Sequence, residues 1–165
     1  LILKRDLPMR MFIPEIGTRI VLTQPWSLLI YCEHRNEAVH GRLRAGLAAG
    51  EFERMQADAE RLSDAHYEEC RKRYSAGFDQ ERAEALLDQA ERARAIPLIL
   101  PVGTELTVDR IYIRKGVSAF SPLTFHLTRT THPLLSAKGR RRFWAKLDQV
   151  NQMEFDLLQP QEAAA

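Results

Sequence analysis

No run of apolar residues in this chain approaches the ~18 that a membrane-spanning helix needs. The apolar stretch within Leu1–Arg10 is too short for a signal-peptide core, and no small-residue cleavage site follows it. A cytoplasmic protein is therefore expected. Cysteine is scarce: Cys32 and Cys70 are the only two, far apart and outside any CxxC. That spacing argues against a disulfide scaffold and suits two reduced thiols. Also missing are the G-x-S-x-G nucleophile elbow, the P-loop and the dinucleotide fingerprint. The opening Leu1 reads as an unusual bacterial start codon translated literally, with Met9 and Met11 as competing starts.

What is present is ordinary for a globular chain: 45% hydrophobic and 28% charged residues over 165 positions. That length holds one domain with a sizeable core. The net charge of +2 hides an asymmetry. Residues 1–46 carry +3, residues 47–95 carry −4 and residues 96–165 carry +3. Such a split orients partners more than it decides the fold.

Alternation predicts a strand over Gly17–Thr23, with Ile20 and Leu22 on one face. A second runs over Trp26–Glu33. Trp26, Leu28, Ile30 and Cys32 share one of its faces, and Ser27, Leu29, Tyr31 and Glu33 the other. Both faces are largely apolar, so this strand is expected to be central and covered on both sides. Asn36 is placed as the N-cap of a short helical segment. Gly41, Gly46 and Gly50 make residues 41–50 a hinge or loop.

Residues 51–74 predict a helix whose stripe is Phe52, Met55, Ala59 and Leu62. Glu68–Lys72 and Glu69–Arg73 are ordered for i,i+4 pairing, and Gly77 is the expected C-terminal cap. Asp79 caps a second helix to about Ala95, with Ala83, Leu86, Leu87, Ala90 and Ala93 on its apolar side, an Asp88–Arg92 pair, and Pro97 as its stop. The two helices should lie antiparallel, pack mainly on each other and project from the domain.

The β pattern resumes at Pro101-Val102-Gly103-Thr104-Glu105-Leu106-Thr107-Val108. It echoes Ile16-Gly17-Thr18-Arg19-Ile20-Val21-Leu22, which points to a shared local shape: a tight turn feeding a strand. The apolar face changes parity near Asp109-Arg110, so a β-bulge or bend is expected there. Lys115–Ser118 is a turn. Leu123, Phe125 and Leu127 mark a clean strand, residues 130–139 a loop, and Phe143, Ala145 and Leu147 another strand. Residues 151–158 add a short last one.

The expected fold is α+β: a small SH3-like or OB-like β-barrel of five or six strands, interrupted after the second by an antiparallel helical hairpin. The boundaries are an N-terminal extension over residues 1–12, a barrel domain over 13–158 with its insertion at about 51–95, and a disordered tail over 159–165.

The run Val102–Gly116, with Phe120-Ser121-Pro122-Leu123-Thr124-Phe125 and Arg142-Phe143-Trp144-Ala145-Lys146-Leu147, resembles uncharacterised small proteins of bacteriophages and other bacterial mobile elements. The likeness covers residues 13–37 and 98–156 and leaves out the helical hairpin. It carries no active-site residue. It implies a context in which accessory proteins bind nucleic acid or a host protein.

The strongest local signal is Lys138-Gly139-Arg140-Arg141-Arg142-Phe143-Trp144-Ala145-Lys146. By alternation Trp144 and Lys146 point away from the core face of Phe143 and Ala145. Cations leading to an outward indole suit single-stranded DNA or RNA: charges track phosphate and the ring offers a stacking surface. Arg114 and Lys115, with Arg110 and Tyr112, would extend that surface. The competing arrangement is a solvated basic loop with Trp144 buried against the hairpin or the domain's second layer.

The hairpin is the second candidate surface. Phe52, Tyr67, Tyr74 and Phe78 would anchor a protein partner, a host or defence protein, or a dimer mate. None of His34, His40, His66, His126 and His132 has compact metal-ligand spacing. Cys32 and His34 share a strand face, but Cys32 is expected among apolar residues, where a thiolate is disfavoured. Asp109, Asp148, Glu154 and Asp156 are expected to pair with arginines rather than to form an acid–base site. A non-enzymatic binding module is expected, with no cofactor and no metal.

Overall fold

The structure, a computed structural model, describes residues 15–112 and 122–158. In chain order the elements are β1 (Arg19–Leu22), β2 (Trp26–Ile30), a 3-10 turn (His34–Asn36), α1 (Glu37–Ala45), α2 (Glu51–Arg71) and α3 (Gln80–Ala93). Then come β3 (Ile96–Leu100), β4 (Glu105–Ile111), β5 (Pro122–Arg129), β6 (Arg142–Lys146), α4 (Leu147–Val150) and β7 (Phe155–Leu157). The fold is α+β. Among the described residues, seven strands form two antiparallel sheets, one ordered β6-β5-β4-β1-β7 and one pairing β2 with β3. Among the described residues no ladder joins the two sheets, so the expected closed barrel is not found.

Both sheets turn their apolar faces to one core. Ile20 and Leu22 enter it from β1, Trp26, Leu28 and Ile30 from β2, and Leu98 and Leu100 from β3. Leu106, Val108, Leu123, Phe125, Leu127 and Phe143 complete the sheet side. Trp26 meets Phe125 edge to face at 5.7 Å, and its indole N–H donates to the Gln149 carbonyl at 2.9 Å. A buried indole needs such a partner.

The sequence echo has a structural cause. Gly17 and Gly103 both take positive φ, 87° and 79°, in the turns that feed β1 and β4. The Gly17 amide donates to Val108 O at 2.7 Å, and the Gly103 amide donates to Leu22 O at 2.8 Å. Each turn thus closes on the other's strand, Gly17 at the middle of β4 and Gly103 at the last residue of β1. The expected parity change in β4 is a register shift between Val108 and Arg110, which keeps both halves of the strand against the core.

Several local expectations are corrected. β2 is not central: among the described residues it pairs only with β3, and it ends at Ile30 and leaves Cys32 exposed rather than among apolar residues. β3 begins at the helix stop. Pro97 sits opposite Leu29 in a two-stranded sheet, where both strands are edges and a missing N–H is tolerated. α1 runs through Gly41 to Ala45, where a loop was expected. α2 ends at Arg71 with Lys72 as its cap, not at Gly77. Lys72 pairs with Glu69, and Arg71 with Glu68, in i,i+3 rather than i,i+4 steps.

Helices follow β2, with α1 ahead of α2 and α3, and the insertion does not project from the domain as expected, because Asp88 and Glu91 of α3 meet Lys146 of β6. Asp79 caps α3 by accepting from the Arg82 amide at 3.0 Å, and Arg92 bonds Asp88 at 2.7 Å. α2 and α3 pack along each other. Glu69 of α2 accepts from the Asp79 amide, and His66 donates to the Ala83 carbonyl at 2.8 Å. These cross-contacts run in reverse order along the two helices. Among the described residues no helix is long and apolar enough to cross a membrane.

Candidate binding cleft and cationic loop

The site grows from Asn36, which stands at the N-cap position of α1 as expected but turns its side chain elsewhere. Asn36 is fully buried and makes no side-chain cap. Its Nδ2 donates to the Tyr31 carbonyl at 3.2 Å, and its Oδ1 accepts from the Trp144 amide at 2.8 Å. That second bond satisfies an N–H on β6, which would otherwise be an open sheet edge. It also draws the exit of β2 against β6. Tyr31 and Trp144 stack with ring centroids 5.5 Å apart and planes within 9°.

Trp144 and Lys146 do point away from the core face, but α3 covers that side. Lys146 is 15% exposed, lies 4.4 Å from the Tyr31 ring and reaches Asp88 at 3.7 Å and Glu91 at 3.9 Å. Arg35 sits 5.2 Å from the Trp144 ring centre while bonding Glu33 at 2.6 Å. Between the sheet and the helical insertion lies a cleft of about 420 Å³. Tyr31, Trp144, Pro122, Leu87 and Ala90 give it apolar walls. Arg35, Arg94 and Lys146 line it as cations, and Glu33 and Glu91 as anions. The Trp144 indole N–H is buried and has no protein acceptor among the described residues.

The basic run preceding β6 divides into structural and free cations. Arg141 donates to the Leu135 and Thr128 carbonyls at 3.1 and 2.8 Å. Arg142 sits 2.6 Å from Asp109, close enough for an ion pair though not aligned as a hydrogen bond. Lys138 and Arg140 are exposed and have no acidic partner among the described residues. Arg42 of α1 holds their loop by donating to the Ala137 and Lys138 carbonyls at 2.8 and 3.0 Å. Gly139 makes room for that clamp: at φ 128° a Cβ would stand 2.6 Å from Arg42 Nη2. Arg110 is exposed and lies in register with Thr124, which in turn faces Trp144. Arg114 and Lys115 lie outside the described residues.

Of the four hairpin aromatics, Tyr67 and Tyr74 are exposed, Tyr74 completely. Phe52 is buried, edge-on to His40 at 5.9 Å and beneath the Arg44 guanidinium at 3.9 Å. It fixes the insertion to α1 and is not a free anchor. Phe78 is half-buried.

Among the histidines, His40 meets the Arg94 carbonyl at 3.2 Å. His132 is half-buried, and burial pushes its pKa below the usual 6.5. Cys70 Sγ lies 3.5 Å from His66 Nε2, one turn along α2. No group of three or more His, Cys, Asp or Glu side chains able to hold a metal occurs among the described residues.

Alternation located Trp144 and Lys146. Asn36, Tyr31, Arg35, Arg42 and Arg94 escaped it, because their roles come from contacts between distant segments. The one available signal was Tyr31, a large aromatic at the outward parity of an otherwise inward strand. The chain matches no known family, no curated protein and no solved structure.

Proposed function

We propose that the protein is a non-enzymatic binding module for single-stranded nucleic acid. The strand's phosphates lie over Lys138 and Arg140, and one base enters the cleft beside Tyr31 and Trp144. The carrying observation is that uncompensated cations and a cation-lined aromatic cleft lie along one short strand. Lys138 and Arg140 precede β6, while Trp144 and Lys146 lie on it. Base–aromatic stacking contributes ~1–3 kcal/mol per base, and phosphate contacts add a term that salt weakens.

The test is fluorescence anisotropy with a labelled mixed-sequence oligonucleotide over a salt series. Replacing Lys138 and Arg140 together by Ala should weaken binding. It should also flatten the log–log salt slope by ~0.7 for each phosphate contact removed. Gly139→Ala, which displaces the Arg42 clamp, should weaken binding while keeping the formal charge. Unchanged affinity and slope in the double variant would remove the loop from the site.

A second reading is favoured by Tyr67 of α2 and Tyr74 of the turn beyond it, large aromatics left open on a charged surface. Here the protein is an accessory factor of a phage or mobile element. It would engage a host or defence protein, or a second copy, through the insertion. Tyr67→Ser with Tyr74→Ser should then abolish capture of that partner without changing oligonucleotide binding. Deleting residues 51–95 tests this less cleanly, because α3 also forms one wall of the cleft.

A further inference from the structure

α3 covers only one end of the outward face of the five-stranded sheet, where Lys146 meets Asp88 and Glu91. Toward the other end the outward side chains stay open. Register aligns Arg19, Thr107, His126 and Arg142 in one row across β1, β4, β5 and β6. Each stands beside residues that are buried in the core, among them Ile20, Leu106, Phe125 and Phe143. Alternation therefore turns the row outward. The register shift between Glu105 and Leu106 sets Arg129 opposite Glu105. It also brings Thr128 beside Thr107, their hydroxyls 3.2 Å apart. His126, Thr128 and Arg129 are exposed.

This open part holds more cation than carboxylate. Arg142 has Asp109, but Arg19, at 3.6 Å, and Arg129 share the single carboxylate of Glu105. One guanidinium charge is left over there, and Arg129 keeps 71% of its side chain open. A guanidinium carries five donors in a fixed fork, so a shared carboxylate leaves N–H groups free for a second anion. The cationic loop joins the row directly. The Leu127 amide donates to the Arg141 carbonyl, and Arg141 donates to the Thr128 carbonyl. Asp156, opposite Val21 on β7, closes the far margin with negative charge. Among the described residues, no phenyl, phenol or indole ring is exposed on this part of the face.

We infer that this row is a phosphate track, along which the backbone of a bound single strand runs from Lys138 and Arg140 across the sheet to Arg19. From β6 to β1 is three strand spacings, about 14 Å. Guanidinium forks match phosphate oxygens two at a time. With no ring to stack on, the track holds backbone and reads no base. The inference rests on the nucleic-acid reading above and gives the strand its direction.

The test uses the full-length protein and a labelled mixed-sequence oligonucleotide over a salt series. Arg129→Ala is the diagnostic variant, because Glu105 keeps Arg19 and no charge is orphaned. It should weaken binding and flatten the log–log salt slope by ~0.7, one phosphate contact. Arg61→Ala removes the same charge from α2, where Arg61 pairs with Asp58, and should change neither. In ¹H–¹⁵N correlation spectra the amides of Thr107, His126 and Thr128 should move with the oligonucleotide. An abasic strand of equal length should move them as far.

Parent affinity and slope in Arg129→Ala, or still amides at saturation, overturns the track. If the Lys138 and Arg140 double variant weakens binding all the same, the strand reading survives that result. Equal losses in Arg61→Ala and Arg129→Ala also overturn it, because net charge alone then explains the effect. A poly-glutamate peptide that moves the three amides as strongly gives the face to an acidic protein and overturns it too. No oligonucleotide binding at low salt sinks both readings. A loss in Arg129→Ala with none in the double variant keeps the track and removes the loop.

Discussion

Asn36 shows how much one side chain can hold. Its amide bridges the Tyr31 carbonyl and the Trp144 amide from a fully buried position. Asn36→Ala leaves a buried acceptor and a buried donor unmet. The expected destabilisation is about 2–3 kcal/mol, read as a lower urea midpoint at unchanged m-value. Emission from Trp144 should change as well, because its stacking partner is released. An unshifted midpoint would show that the clamp is idle. The sequence placed Asn36 at the N-cap of α1, where it stands, but a local pattern could not show that its side chain bonds elsewhere. A bond to a residue 108 positions away leaves no local trace. The outward parity of Trp144, by contrast, depends only on its neighbours along a strand, and it was legible.

Among the elements, the helical insertion was the most legible, since helical periodicity and the Asp79 cap are local signals. Its lock was not. Glu69 is buried at the α2–α3 junction, takes Lys72 at 3.0 Å, accepts from the Asp79 amide at 3.1 Å and has Arg82 at 3.9 Å. The hydrogen bonds from Lys72 and the Asp79 amide hold its pKa below 4.5, against the opposing effect of burial. A carboxylate with a depressed folded-state pKa adds stability that is complete above 4.5 and lost as pH falls through the folded value. Glu69→Gln should therefore lower the thermal midpoint at neutral pH, and the gap to the parent should narrow as pH drops below that point. A gap independent of pH would assign the effect to packing alone. β3 was illegible for the opposite reason. A proline just past a helical pattern is a strong stop signal, and only the pairing partner reveals that the same five residues form a strand.

At the scale of the whole molecule, the charge asymmetry written along the chain is used partly inside it. The −4 segment folds back so that Asp88 and Glu91 meet Lys146 of the positive sheet. That contact takes Lys146 out of the cationic exterior, while Lys138 and Arg140 of the loop before β6 stay exposed. Parity and turn chemistry anticipated the α+β class and the bulge in β4. Closure into a barrel depends on pairings between remote strands, and the strands divide into two sheets around one core.

The twin glycine turns have a mechanical consequence. Among the described residues, β7 bonds only to β1, and β1 reaches the rest of its sheet only through β4. Two strands far apart in the chain thus share one ladder to the rest of the sheet, with Ile20 and Leu22 also packing β1 into the core. Gly103→Ala, strained at φ 79°, should speed amide exchange at Leu22, Thr23 and Leu158 together, whereas Leu127, bonded toward β6, keeps its protection. Uniform acceleration everywhere would mean that this pair never opens on its own. If it does open, the protein carries a detachable margin, and a break at one loop loosens the beginning and the end of the domain in the same event.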